Sequence, residues 1–142
     1  MLTIAIAQMD INVGHSEENF SQARDFATRA QKAGADFLLL PELWFYGYDL
    51  PHAEARAAPL GEGGFAHMRA LAREFGLYVA GSTLERHAAG VSNTAALYDP
   101  RGELLGAYRK VHLFRLMNED RYLAPGTHAT LCETPWGPVG LA

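Results

Sequence analysis

An unbroken apolar run, Phe37-Leu38-Leu39-Leu40, stops at Pro41-Glu42. A short run without polar alternation suits a strand covered on both faces of a sheet. Proline has no amide hydrogen to give to a ladder, so Pro41 marks the strand's end. In open α/β sheets, ligands bind beyond the carboxyl ends of the strands. Glu42 stands at such an end.

Leu2 to Gln8 is a second apolar, β-branched run, expected as a central strand. Between the two runs, Ser16 is a fair N-cap, with Glu17 and Glu18 in the first turn. Phe20, Ala23, Ala27 and Ala30 then recur at helical spacing up to Lys32, and Gly34 sits at the C′ position. Strand, helix and strand make a βαβ unit, which implies parallel pairing and a right-handed crossover.

Residues 51–60 read as an irregular surface loop. After the Gly61 to Gly64 breaker, Phe65, Met68, Leu71, Ala72 and Phe75 trace a second helix, closed by Gly76. Leu77 to Gly81 is the next strand. Ser92 to Tyr98 and Glu103 to Arg109 flank Asp99-Pro100-Arg101-Gly102, whose Pro and Gly positions suit a type I turn in a hairpin. Thr130 to Glu133 and Pro138 to Ala142 form a further pair around Trp136-Gly137. Val139 to Ala142 is apolar to its last residue, which reads as a cut through a domain.

With 142 residues the chain makes one domain at most, and 49% hydrophobic with 20% charged residues is ordinary globular composition. A net charge of -4 offers no basic footprint for nucleic acid. The apolar stretches are too short to span a membrane, and the start lacks the basic leader of a signal peptide. A lone cysteine, Cys132, excludes an internal disulfide and fits a reducing cytoplasm.

Three residues stand out for chemistry. Glu42 is either a general base, its pKa raised by desolvation behind a buried strand, or an ordinary turn carboxylate. Lys110 is one of only two lysines beside ten arginines, and it closes the hairpin in AYRKVHLF. Its compact ammonium suits a developing oxyanion, or it is a solvated strand-end charge. Glu119, in the loop RLMNEDRYLAPG, either tunes the first two or is an exposed acid. Cys132 has no neighbouring base or helix N-terminus and reads as a packing residue. The six histidines have no ligand spacing and no second cysteine to help, which argues against a metal site. His112 reads as a packed or loop histidine. Gly61 to Gly64 is neither a phosphate loop nor a dinucleotide fingerprint, and no G-x-S-x-G elbow is present.

Taken together, IAIAQMD, LLLPELWFYGYDL, YVAGSTLER, NTAALYDPRGELLGAYRKVHLF and NEDRYLAPG resemble the nitrilase, or carbon–nitrogen hydrolase, superfamily. The resemblance covers almost the whole chain. It implies an α/β fold, a four-layer αββα sandwich left incomplete by residue 142, with residues 1–142 as the N-terminal part of one hydrolase domain. It implies a Glu-Lys-Cys triad in which Glu42 matches the base, Lys110 the lysine and Glu119 a second glutamate. The matching cysteine would follow GPVGLA, just beyond Ala142; Cys132 does not align with it. The implied enzyme is a cytoplasmic homo-oligomer, a dimer or larger. It would hydrolyse a small amide or nitrile through a thioester, using no metal or organic cofactor. The 142 residues alone are then expected to be inactive. The competing readings are a non-catalytic fragment or pseudoenzyme that needs a partner chain, and an acyltransferase of the same superfamily. Trp44, Phe45, Tyr46 and Tyr48 are either pocket residues or core.

Overall fold

The computed structural model describes residues 1–142. Strand β1 (Ile4–Ile6) pairs in parallel with β2 (Phe37–Leu39), and α1 (Ser16–Lys32) crosses between them. The βαβ unit is as expected, but its first strand lies elsewhere. The sheet order is β1-β2-β3-β4-β5, so β1 is an edge strand, with Ile4 50% and Ile6 70% exposed. Apolar β-branched residues record fitness for a pleated surface and say nothing of rank within the sheet.

The cap of α1 also differs: His15 holds the N-cap position, and neither it nor Ser16 makes a side-chain capping bond. Asn19, fully buried one turn in, ties the region down instead. Its Oδ1 accepts from Asn12 N at 2.8 Å, and its Nδ2 donates to Asn12 O at 2.8 Å and Phe45 O at 3.0 Å.

Residues 51–60 are more ordered than a loop, holding a 3₁₀ turn at Leu50–His52 and one helical turn, α2 (Ala53–Arg56). Helix α3 (Gly64–Phe75) follows and ends on Gly76 at φ +66, the left-handed position that a side chain disfavours. Its stripe of Phe65, Met68, Leu71 and Ala72 is buried against the sheet beside Ala23, Ala27 and Ala30 of α1. Each large side chain there contributes about 1.5–3 kcal/mol. Surface helix pairs add a few tenths at most, so packing and not propensity holds these helices.

Strand β3 (Tyr78–His87) runs six residues past the expected end at Gly81 and forms a long hairpin with β4 (Gly90–Tyr98). The extension is polar because its side chains have partners: Ser82 accepts from Leu43 N, and Glu85 from Arg109 and Thr94. The next hairpin, β4 with β5 (Leu104–Arg109), turns where expected. Asp99 Oδ1 accepts the amides of Arg101 and Glu103 at 2.9 Å each, which locks the turn.

Beyond β5 a 3₁₀ turn (Arg115–Met117) and a single turn of helix, α4 (Glu119–Tyr122), lead to the hairpin β6 (Thr130–Thr134) and β7 (Gly137–Leu141). That hairpin is a separate two-stranded sheet, packed through Cys132 and Val139 against Phe37, Leu97 and Leu105 on the face opposite the helices. The layers are therefore helices, five-stranded sheet and second sheet.

Candidate active site

The path of the chain after β2 sets the first carboxylate. Leu40 N still bonds to Ala80 O at 2.7 Å; Pro41 then offers no donor, and the backbone turns. Leu43 has φ +49, a conformation that costs a non-glycine residue about 1–2 kcal/mol. It is held there by Ser82, whose Oγ accepts Leu43 N at 2.9 Å and whose carbonyl accepts Trp44 N at 3.1 Å. The Leu43 side chain is meanwhile buried. Gly81 lets the two strands approach, since a Cβ there would lie 2.8 Å from Leu40 Cβ. The turn delivers Glu42 to the end of the sheet.

Lys110 arrives from the exit of β5. Its amide bonds to Asn93 O and its carbonyl accepts Gly126 N, both at 2.9 Å, so its backbone is fixed on both sides. Its Nζ donates to Glu42 Oε1 at 2.8 Å and lies 3.0 Å from both oxygens of Glu119. Glu119 is fully buried, and its Oε2 also accepts Phe114 N at 2.6 Å. Asn118, at φ +58, starts the helical turn that aims it. All three residues singled out from the sequence therefore meet around one ammonium.

Two further donors reach the Glu42 carboxylate. Asn93 Nδ2 donates to Oε1 at 2.7 Å, and the Tyr48 hydroxyl donates to Oε2. These contacts overturn one expectation. Burial does push the Glu42 carboxyl up, but hydrogen bonds from Lys110, Tyr48 and Asn93 and the Lys110 charge outweigh it. The group is held below the ordinary carboxylate value because its side chain remains 43% exposed while three donors and one neighbouring positive charge favour its ionised form. Burial pulls the Lys110 ammonium down, but hydrogen bonds to Glu42 and Glu119, with their charges, leave it raised. Burial and then Glu42 raise the Tyr48 phenol well above its usual range. At neutral pH the arrangement is carboxylate, ammonium and neutral phenol.

Glu42 and Lys110 face an open cavity of about 510 Å³, whose lining includes Ser82, Asn93, Tyr108, His112 and Ala142. His112 thus reaches the cavity from its loop. The aromatic segment after Glu42 does not line it: Trp44 and Phe45 are buried in the main core, with Tyr46 packed beside them. Only Tyr48 of that group touches the site. Cys132 is 1% exposed under Gly106 on the second sheet and lies outside the cavity; burial pushes its thiol up. No three His, Cys, Asp or Glu residues are grouped to hold a metal ion. Of the two further donors to Glu42, Tyr48 is a pocket candidate in the sequence, whereas Asn93 is not singled out there. The available signal for Asn93 was Ser92-Asn93-Thr94, three polar residues inside an otherwise apolar strand.

A mixed sheet backed by helices, with a cavity at its strand ends, is an α/β arrangement of the kind in which ligands bind beyond the carboxyl ends of the strands. The chain belongs to the carbon-nitrogen hydrolase family, whose profile matches residues 3–142. It is 39% identical over 126 residues to 2-oxoglutaramate amidase of Bacillus subtilis (strain 168), a match covering 88% of this chain and 48% of that protein. It is 30% identical to an omega-amidase of Bos taurus, over 99% of this chain and 54% of that protein. Among solved structures it superposes with TM-score 0.84 and 26% identity on a mutant of the amidase from Nesterenkonia sp. AN1. That match covers 95% of this chain and 54% of the other; the structure shows the result of Michael addition of acrylamide at that amidase's active-site cysteine. The chain thus spans about half the length of the relatives it matches. Its fold is that of the nitrilase-type amidases. No helix is long and apolar enough to cross a membrane.

Proposed function

We propose that the protein is an amidase of this family, acting on the terminal amide of a small acid such as 2-oxoglutaramate, and that Glu42, Lys110 and Glu119 belong to its catalytic machinery. The nucleophile would be a cysteine following Ala142. One observation carries the assignment: Glu42 and Lys110 are in direct contact at 2.8 Å on the wall of a cavity that Ala142 also lines.

The chemistry follows from the groups. Glu42, ionised at neutral pH, takes the thiol proton, and the thiolate attacks the amide carbon. The Lys110 ammonium stabilises the tetrahedral oxyanion, and buried Glu119 keeps that ammonium charged and aimed. Glu42 returns the proton to departing ammonia and then activates the water that hydrolyses the thioester. The substrate class rests on the similarity to 2-oxoglutaramate amidase and the omega-amidase. The buried lone thiol fits a cytoplasmic enzyme, which we read as a homo-oligomer.

The test uses the full-length protein with 2-oxoglutaramate, a simple aliphatic amide and a nitrile. Ammonia release should be fastest with the first. Glu42→Gln and Lys110→Ala should each lower kcat by about 10²–10⁴-fold with the fold unchanged. Wild-type rates in either variant would sink the assignment. Preference for the nitrile would sink the substrate class alone.

A further inference from the structure

The Glu42 carboxylate has about four in-plane acceptor positions, two on each oxygen. Oε1 accepts from both Asn93 Nδ2 at 2.7 Å and Lys110 Nζ at 2.8 Å, which uses its two positions. Oε2 accepts only from the Tyr48 hydroxyl. One position remains, on Oε2. Asn93 is itself 3% exposed and anchored at mid-ladder on β4, paired with Leu84 of β3 and accepting Lys110 N through its carbonyl. Its amide thus has little freedom to leave Glu42.

From this geometry we infer that Asn93 is a positioning residue, which together with Lys110 closes Oε1 and so directs the proton taken up by Glu42 to Oε2. The inference rests on the proposed role of Glu42 as the base. In the step concerned, the S–H bond of the nucleophile breaks, its electron pair stays on sulfur, and the proton forms a new O–H bond at Oε2. Water activation repeats the transfer with an O–H bond in place of S–H. With Asn93 absent, Oε1 regains an open position and the carboxylate is free to turn about its last torsion. The acceptor lone pair is then no longer confined to one place, and a base misplaced by about 1 Å loses up to about 10²-fold in rate.

The charged and titratable groups facing Glu42 are Lys110 at the end of β5, Tyr48 from the loop after β2, Glu119 behind Lys110 on α4, and Tyr108 and His112 on the cavity wall. None of them is changed by a substitution at position 93. Loss of a donor to the ionised form raises the carboxyl's pKa, so the Glu42 titration reads the contact directly.

The experiment compares full-length wild type with Asn93→Ala and Asn93→Asp, the second preserving side-chain shape. Two quantities are read: the Glu42 carboxyl titration by carbon-13 NMR, assigned by its loss in Glu42→Gln, and the kcat and KM of ammonia release from 2-oxoglutaramate. Asn93→Ala should move the Glu42 titration and the acid limb of kcat/KM up together, with kcat lowered about 10–100-fold and KM little changed. Asn93→Asp should move both further, through like-charge repulsion between the two carboxylates. An unmoved Glu42 titration in both variants overturns the proposal, and so does a moved titration with wild-type kcat. If Glu42→Gln turns over normally, the base assignment fails instead, which the NMR readout separates from a failure at Asn93.

Discussion

Arg109→Ala should destabilise the protein by about 2–3 kcal/mol, and the loss should depend on pH. Arg109 forks onto Glu85, donating from Nε to Oε2 at 2.8 Å and from an Nη to Oε1 at 2.6 Å, while Thr94 donates to Oε2 at 2.7 Å. Removing one partner of a buried pair costs about 3–5 kcal/mol, because a charge is left without compensation. Here the Glu85 side chain is 4% exposed but Arg109 is 44% exposed. Water therefore replaces part of the lost guanidinium, which brings the figure down to about 2–3 kcal/mol, or roughly 5–10 °C in Tm. The pH sign follows from Glu85. Burial pushes its carboxyl up, but Arg109 and Thr94 bonds and the charges of Arg109 and His87 outweigh that and hold it below its ordinary value. A lowered carboxyl contributes stability above the unfolded value of about 4.3 and loses it as pH falls through the folded value. In the variant the burial push loses its main counterweight, so Glu85 protonates at higher pH. The gap between wild type and Arg109→Ala, measured by urea denaturation, should be full at pH 7 and narrow toward pH 4. Adding Glu85→Gln to Arg109→Ala should restore part of the loss at pH 7. A gap below about 0.5 kcal/mol at pH 7, or one that stays constant to pH 4, would refute the argument.

Cys132, buried with its thiol pushed up, should resist alkylation at pH 8 in native buffer and react once urea unfolds the chain. Peptide mapping of rapid native labelling at that residue would contradict its packing role. Gly81→Ala should cost about 1–3 kcal/mol by urea denaturation, because the new methyl meets Leu40 Cβ at 2.8 Å and Trp44 Cδ1 at 3.3 Å. A neutral result would mean that β2 and β3 separate freely at that point.

The elements legible in the sequence were those set by local pattern. Helical spacing gave α1 and α3, and Asp99-Pro100-Arg101-Gly102 gave the β4–β5 hairpin, because both signals lie within a few residues. The polar half of β3 is not legible from local pattern. Ser82 and Glu85 look like loop residues until Leu43, Thr94 and Arg109 supply their partners from 39, 9 and 24 positions away. The site divides the same way. Glu42, Lys110 and Glu119 stand out by position and residue type, resemblance to a family turns them from open alternatives into a set, and the structure brings them together. The protonation balance at Glu42 was misjudged because it depends on donors 6, 51 and 68 residues distant. Trp44 and Phe45 could have lined a pocket or filled a core, and only the fold around α1 and α3 decides for the core.

The small apolar cluster of Leu43, Leu50, Leu84, Val91 and Leu123, with Tyr48 and Leu113 packed against it, borders the polar site on its inner side. Leu43 follows Glu42 in the chain, Leu123 ends the turn that bears Glu119, and Val91 lies two residues before Asn93 on β4. Repacking this cluster for stability would therefore re-aim the carboxylates and the amide that meet at Lys110. An engineer has freer choice in the larger core between helices and sheet, whose side chains are neighbours of the site mainly through Leu40 and Trp44. In this fold, thermostability and the geometry of proton transfer are separable in one hydrophobic cluster and inseparable in the other.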